Sequence, residues 1–111
     1  MTTSEKAQQF QALHNTAGAF VIPNPWDAGS ARILAGLGFK ALATSSYASA
    51  LVLGRRDGEM TCDEVIAHAR CIAEAVDLPV SADLEDGLAD SPAGVAETIR
   101  LAAAAGCRHQ E

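Results

Sequence analysis

The chain has 111 residues, 49% of them apolar and 20% charged, with 14 acidic against 8 basic residues for a formal net charge of −6. That composition is ordinary for a globular domain and excludes wholesale disorder, while the length allows one domain and falls well short of the ~250 residues of a complete (β/α)8 barrel. No Lys/Arg cluster offers a nucleic-acid footprint, no apolar run nears the ~20 residues of a membrane span, and Met1 to Phe10 has neither the basic nor the apolar region of a signal peptide, so no nucleic acid and no membrane are expected as partners.

Thr2 to Asn15 reads as a short amphipathic helix with Phe10 and Leu13 on its apolar side. Ala19 to Ile22 is a short apolar run that reads as a first strand, stopped by Pro23-Asn24-Pro25. Asp27 or Ser30 can cap a helix running to about Leu37, with Ala31, Leu34 and Ala35 inward and Gly36-Leu37-Gly38 closing it. Phe39 to Thr44 reads as a second strand, Ser45 to Leu53 as an irregular or briefly helical stretch, and Gly54 to Glu59 as a polar loop. Thr61 and Glu64 form a capping box ahead of a helix through Val76, whose Val65, Ile66, Ala69, Ile72, Ala73 and Val76 fall at helical spacing. Leu78 to Asp83 reads as a third strand. Asp90-Ser91-Pro92 opens a last helix that ends at Gly106, leaving a five-residue tail.

The order is therefore one helix followed by three βα units, which implies an α/β fold with a parallel sheet. Gly36-Leu37-Gly38-Phe39-Lys40-Ala41 matches a dinucleotide fingerprint in letters, but it follows a helix and precedes a strand, the reverse of what that site needs. Cys62, Cys71 and Cys107 have no zinc-type spacing; Cys62 and Cys71 lie too far apart on one helix to bridge, so free thiols in a reducing cytoplasm are expected. Cys107 and His109 are too few ligands for a metal centre. His14, His68 and His109 lie away from strand ends, and solvent-facing roles are expected for all three.

In parallel α/β proteins the chemistry sits at the C-terminal ends of the strands. The first such end carries Trp26 and Asp27; Asp27 serves equally well as a plain helix cap. The second carries Thr44-Ser45-Ser46-Tyr47, small hydroxyl residues whose side chains and accessible N–H groups suit a carboxylate, although Ser and Thr are also common in loops. The third is the most distinctive: Ser81, Asp83 and Glu85 alternate along an extended strand, and Asp86 adjoins them. Carboxylates so crowded repel one another unless a cation lies among them, and hard oxygen donors suit Mg2+; a solvated acidic turn is the plainer alternative. An EF-hand is excluded, because counting from Asp83 puts Gly87 fifth rather than sixth and Gly94 in the twelfth position. Asp57, in the loop after the second strand, can reach a shared cation through water.

These segments resemble the isocitrate lyase / phosphoenolpyruvate mutase family, in the branch of the carboxyphosphonoenolpyruvate phosphonomutase-like and 2-methylisocitrate lyase-like proteins. The resemblance rests on Asn24-Pro-Trp-Asp-Ala-Gly-Ser-Ala-Arg32, Thr44-Ser-Ser46, Leu53-Gly-Arg-Arg-Asp57, Asp63-Glu-Val65, His68-Ala-Arg70 and Leu78-Pro-Val-Ser-Ala-Asp-Leu-Glu85, in that order, and spans roughly Gly18 to Gly106. It implies a TIM barrel, here a partial (β/α)8 barrel that forms the N-terminal portion of the domain and ends before strand four. It also implies an oligomeric Mg2+-dependent (or Mn2+-dependent) lyase or phosphonomutase acting on a small 2-oxo-carboxylate through a metal-stabilised enolate. By the same resemblance Asp83 is the direct metal ligand, Glu85 and Asp57 hold metal-bound water, Ser45, Ser46 and Tyr47 bind the substrate carboxylate, and Trp26 and Asp27 form the floor of the site. Asp-Leu-Glu replaces the usual Asp-Ala-Asp, and Tyr47 stands where a smaller residue is expected. With no strand four and no lid residue, the 111 residues alone are expected to be inactive; a non-catalytic partial barrel that self-associates through open edges is the alternative.

Overall fold

The helix starts are written locally, and they form as read. In the computed structural model, which describes residues 1–109, Thr2, Asp27 and Thr61 each cap a helix in a reciprocal capping box, and Ser91 caps a fourth with Pro92 in its first turn. The helices are α1 (Thr3–Asn15), α2 (Ala28–Gly36), α3 (Ser46–Val52), α4 (Cys62–Ala75) and α5 (Pro92–Ala104). The stretch after the second predicted strand is thus helical, with Ser45 Oγ accepting the Ala48 N–H as its cap.

The strands are β1 (Leu42–Ala43), β2 (Val80–Ala82) and β3 (Arg108–His109), paired in parallel in the order β1-β2-β3. Leu42 aligns with Val80, and Ser81 with Arg108. The architecture is α/β, as expected. The inner stripe of α4 (Val65, Ile66, Ala69, Ile72 and Ala73) is buried with Leu42, Val80, Ala82 and Leu84. Val76, expected to continue that stripe, is the C-cap and packs half-buried against the same core.

Two expectations are corrected. The segment read as a first strand, Ala19 to Ile22, joins no ladder. The Ala43 N–H does donate to the Pro23 carbonyl at 3.1 Å. The return bond of a parallel ladder would come from residue 25, and Pro25 has no N–H to give. The Asn24 side chain takes that place, its Nδ2 donating to the buried Ala43 carbonyl at 2.8 Å. Asn24→Ala should therefore leave that carbonyl unpaired and cost ~1 kcal/mol in urea denaturation; wild-type stability would show that water replaces the amide. The second correction is at Arg108–His109, read as tail, which pairs with β2 as β3.

At the opposite end of the strands from their C-termini, Lys6 Nζ donates to the Ala73 and Val76 carbonyls at 3.1 and 3.0 Å, closing the C-terminal end of α4. The amino group of Met1 pairs with Asp77 at 2.8 Å. No helix among the described residues is long and apolar enough to cross a membrane.

Candidate functional site

Because β1 and β2 are adjacent and parallel, the residues that leave them, Thr44 and Asp83, emerge side by side. Thr44 is buried, its N–H donates to the Ser81 carbonyl at 2.8 Å, and its hydroxyl accepts the Asp83 N–H at 2.8 Å. Asp83 answers across the same gap. Its Oδ2 accepts the Ser46 N–H at 3.1 Å and its Oδ1 accepts the Glu85 N–H at 3.1 Å. Two strand-end loops distant in sequence are thus fastened through one carboxylate.

That fastening changes the role read for the hydroxyl segment. The Ser46 N–H was expected to face a substrate carboxylate and is spent on Asp83. The Ser45 hydroxyl caps Ala48, and the Ser45 carbonyl takes the Ser49 N–H. Among the described residues the Tyr47 N–H is left without a protein acceptor at the start of α3, beside a phenol ring 56% exposed.

Glu85 leaves the strand in left-handed backbone, φ 51°, so the extended alternation that would align it with Asp83 breaks there. Its carboxyl is nonetheless held above the usual glutamate range, first by partial burial and then by the charges of Asp57, Asp83 and Asp86. Asp57 is therefore near enough to be felt, although its loop is exposed. No three His, Cys, Asp or Glu side chains among the described residues converge as a ready ligand set. Asp83, Glu85 and Asp57 thus share a field rather than a finished cage.

A carboxyl raised in the folded state binds its proton more tightly folded than unfolded. It favours folding at low pH, and the contribution is lost as pH rises from the ordinary glutamate value through the raised folded one. Above that range the charged Glu85 carboxylate meets the neighbouring charges, and its repulsion is a cost. In chelator, Glu85→Gln should raise Tm by about 1–3 °C near neutrality and by almost nothing near pH ~4. An equal gain at both pH values would remove charge repulsion as the cause.

Asp27 is the N-cap of α2: its Oδ1 accepts the Ser30 N–H and hydroxyl, both at 2.8 Å, and its carboxyl is held below the usual range chiefly by those bonds. Trp26, 47% exposed, stands beside it. Its carbonyl meets His68 Nε2 at 2.8 Å. This corrects the expectation for His68, which is half-buried and bonded rather than solvent-facing. His14 is exposed, yet it lies edge-on between Phe10 and Phe20. The His109 side chain lies outside the described part of the molecule. All three cysteines are free; Cys107 is buried, and burial pushes its thiol up to about 11.

Comparison with known proteins gives this arrangement a context. The family model described as phosphoenolpyruvate phosphomutase matches residues 10–109. A Burkholderia cenocepacia J2315 structure described as a lyase/mutase superposes with a TM-score of 0.92 at 52% identity, covering 95% of this chain and 38% of that one. The 2,3-dimethylmalate lyase of Eubacterium barkeri is 35% identical over 96 residues, 85% of this chain and 33% of the relative. The chloroplastic carboxyvinyl-carboxyphosphonate phosphorylmutase of Arabidopsis thaliana is 35% identical over 111 residues, 95% of this chain and 32% of the relative. The chain thus spans about a third of the length of the curated relatives it matches.

Proposed function

Because the chain belongs to the phosphoenolpyruvate phosphomutase family, we propose that it carries part of the site of a divalent-cation-dependent lyase or phosphonomutase for small 2-oxo-carboxylates. In this reading β1, β2 and β3 are the second to fourth strands of a partial (β/α)8 barrel, with the segment before Pro23 in the place of the first. The observation that carries the reading is the Asp83 carboxylate, bonded to Ser46 across the strand ends and set in a field that also holds Glu85 and Asp57.

The residues present fit a Mg2+ or Mn2+ ion. All the donors are hard oxygens, and every cause acting on the Glu85 carboxyl opposes its ionisation, the condition a bound cation relieves. Asp83 uses its oxygens for two N–H bonds, and a carboxylate has about four lone-pair sites, so acceptor capacity remains. Mg2+ typically takes one or two carboxylates and keeps several waters, which suits Asp83 as direct ligand with Glu85 and Asp57 behind water. When bound, such an ion supplies positive charge to an oxyanion that develops as a bond to the oxo-acid breaks.

The chain's own residues would do the rest. The Tyr47 N–H and the Ser45 and Ser46 hydroxyls offer donors to the substrate carboxylate. Tyr47 narrows the entrance, and Trp26 with Asp27 forms a wall. A cytoplasmic location goes with this reading, supported by three free thiols.

Calorimetric titration with Mg2+ or Mn2+, followed by oxalate as a pyruvate-type probe, tests it. Cation uptake, and oxalate uptake that requires the cation, is the expected result; a folded chain that takes up neither would sink the reading.

A second reading has its own observation. Val21, Ile33 and Leu37 are 69%, 65% and 71% exposed, large apolar side chains available for self-association of a non-catalytic partial barrel. Sedimentation velocity separates the two: a monomer independent of concentration argues against association.

A further inference from the structure

The loop that joins the first strand position to α2 is anchored at its start, where the Pro25 side chain is fully buried and Pro23 and Asn24 bond to Ala43, but side-chain packing does little to hold Trp26 and Asp27 beyond it. Trp26 is 47% exposed, and Asp27 is exposed as well. Behind the loop lies a cavity of about 440 Å3 whose lining includes Asp27, Val52, Leu53, His68 and Ile72, so that side is open space rather than packed side chain. The bonds within the loop are local. The Trp26 and Asp27 N–H groups donate to Ser30 Oγ at 2.9 and 3.1 Å, and Ser30 returns its bonds to Asp27. They fix the turn relative to α2, which is seated in the core through Ala31, and leave the Trp26 carbonyl itself to a bond from elsewhere.

Among the described residues, one hydrogen bond reaches the Trp26–Ser30 turn from another element. His68 Nε2, on α4, lies 2.8 Å from the Trp26 carbonyl oxygen, across 42 residues of sequence. A carbonyl only accepts, so Nε2 carries the hydrogen, and the bond survives in both the neutral and the charged imidazole. The α4 backbone beneath His68 is firmly seated, with Ala69 and Ile72 buried in the core. His68 therefore stands on the described helix with the most buried residues and holds the exposed Trp26–Asp27 turn by its main chain.

We infer that His68 is a positioning residue: its Nε2–H bond to the Trp26 carbonyl sets the Trp26–Asp27 loop as the wall of the oxo-acid site. The second half of that statement rests on the function proposed above; the first does not. His68 touches no reacting atom. It acts through Trp26.

The chain's single tryptophan makes the effect readable without turnover. His68→Leu keeps bulk and helix propensity and removes the donor, whereas His68→Gln restores an N–H donor. Each variant is first shown to be folded by circular dichroism. Trp26 fluorescence anisotropy and acrylamide quenching are then compared with wild type, followed by oxalate titration in Mg2+. In His68→Leu the anisotropy should fall, quenching should rise, and oxalate affinity should drop about three- to tenfold, with recovery of all three in His68→Gln. A folded His68→Leu chain with wild-type anisotropy and quenching would overturn the inference. Loss of anisotropy recovered by glutamine, in a wild-type chain that takes up no oxalate, would uphold the positioning of Trp26 and count against the oxo-acid site instead.

Discussion

Asp83→Ala is expected to abolish divalent-cation uptake and to lower stability by about 2–3 kcal/mol, two losses from one side chain. The metal loss follows from its position as the proposed direct ligand. The stability loss follows from its two charge-assisted bonds, to the Ser46 N–H at one oxygen and the Glu85 N–H at the other. Removing the carboxylate leaves both donors to water in a partly buried place, and the β1 and β2 loops keep only the tie between the Asp83 N–H and the Thr44 hydroxyl. Part of the cost is offset, because Glu85 loses one of the charges that repel it. Asp83→Asn separates the two roles. The amide keeps one acceptor oxygen, so it should recover roughly half of the stability and none of the metal binding. Urea denaturation reads the first quantity and calorimetry the second. Unchanged cation affinity in a folded Asp83→Ala chain would remove Asp83 from any metal site, and unchanged stability would show that the Ser46 bond is an ornament of the fold.

The second large effect is expected at Gly87, where the acidic turn meets α5. Gly87 adopts φ 100°, a left-handed conformation that side chains rarely tolerate, and its N–H closes the turn on the Leu84 carbonyl at 2.8 Å. A Cβ there would lie 2.6 and 2.7 Å from the two methyl groups of Val95. Gly87→Ala therefore combines backbone strain with overpacking and should cost about 2–4 kcal/mol. Adding Val95→Ala should return the overpacking share, measured as the coupling in a double-mutant cycle. No coupling between the two sites would mean that the turn moves away from α5 rather than pressing on it. Since Leu84 and Gly87 are buried on either side of Glu85 and Asp86, any such movement also displaces the carboxylates.

What the sequence made legible was local, and what it hid was pairing. Thr61 and Glu64 carry their helix start in three intervening bonds of chain, and it forms where the letters put it; the Thr2–Glu5 box of α1 has the same form. Strand membership depends on a neighbour. Phe39 to Thr44 and Leu78 to Asp83 shrink to the few residues that pair, and Ala19 to Ile22 drops out because Pro25 cannot return a bond to Ala43. Arg108–His109 is too short and polar to announce itself, and it becomes a strand because β2 offers an open edge. The crowding of Asp83, Glu85 and Asp86 is visible in the letters as charge, and in the fold the charges of Asp57, Asp83 and Asp86 help hold the Glu85 carboxyl above its usual range. The bonds from Asp83 to Ser46 and from His68 to Trp26 cross 37 and 42 residues and leave no pattern in the letters. Thr44, whose hydroxyl accepts the Asp83 N–H, was quoted only as part of a hydroxyl run.

The N-terminal helix obeys a different economy from the rest. α1 has no fully buried residue, and it is moored by Lys6 on the last carbonyls of α4 and by the Met1 amino group on Asp77. Both moorings are polar, and the Met1–Asp77 pair weakens with salt. Two tiers of cooperativity are therefore expected. The sheet and α4 are expected to melt together as one unit, while α1 is expected to lift away and settle again at low free energy, giving up only the Lys6 bonds to the end of α4, at the end of the fold remote from the carboxylates.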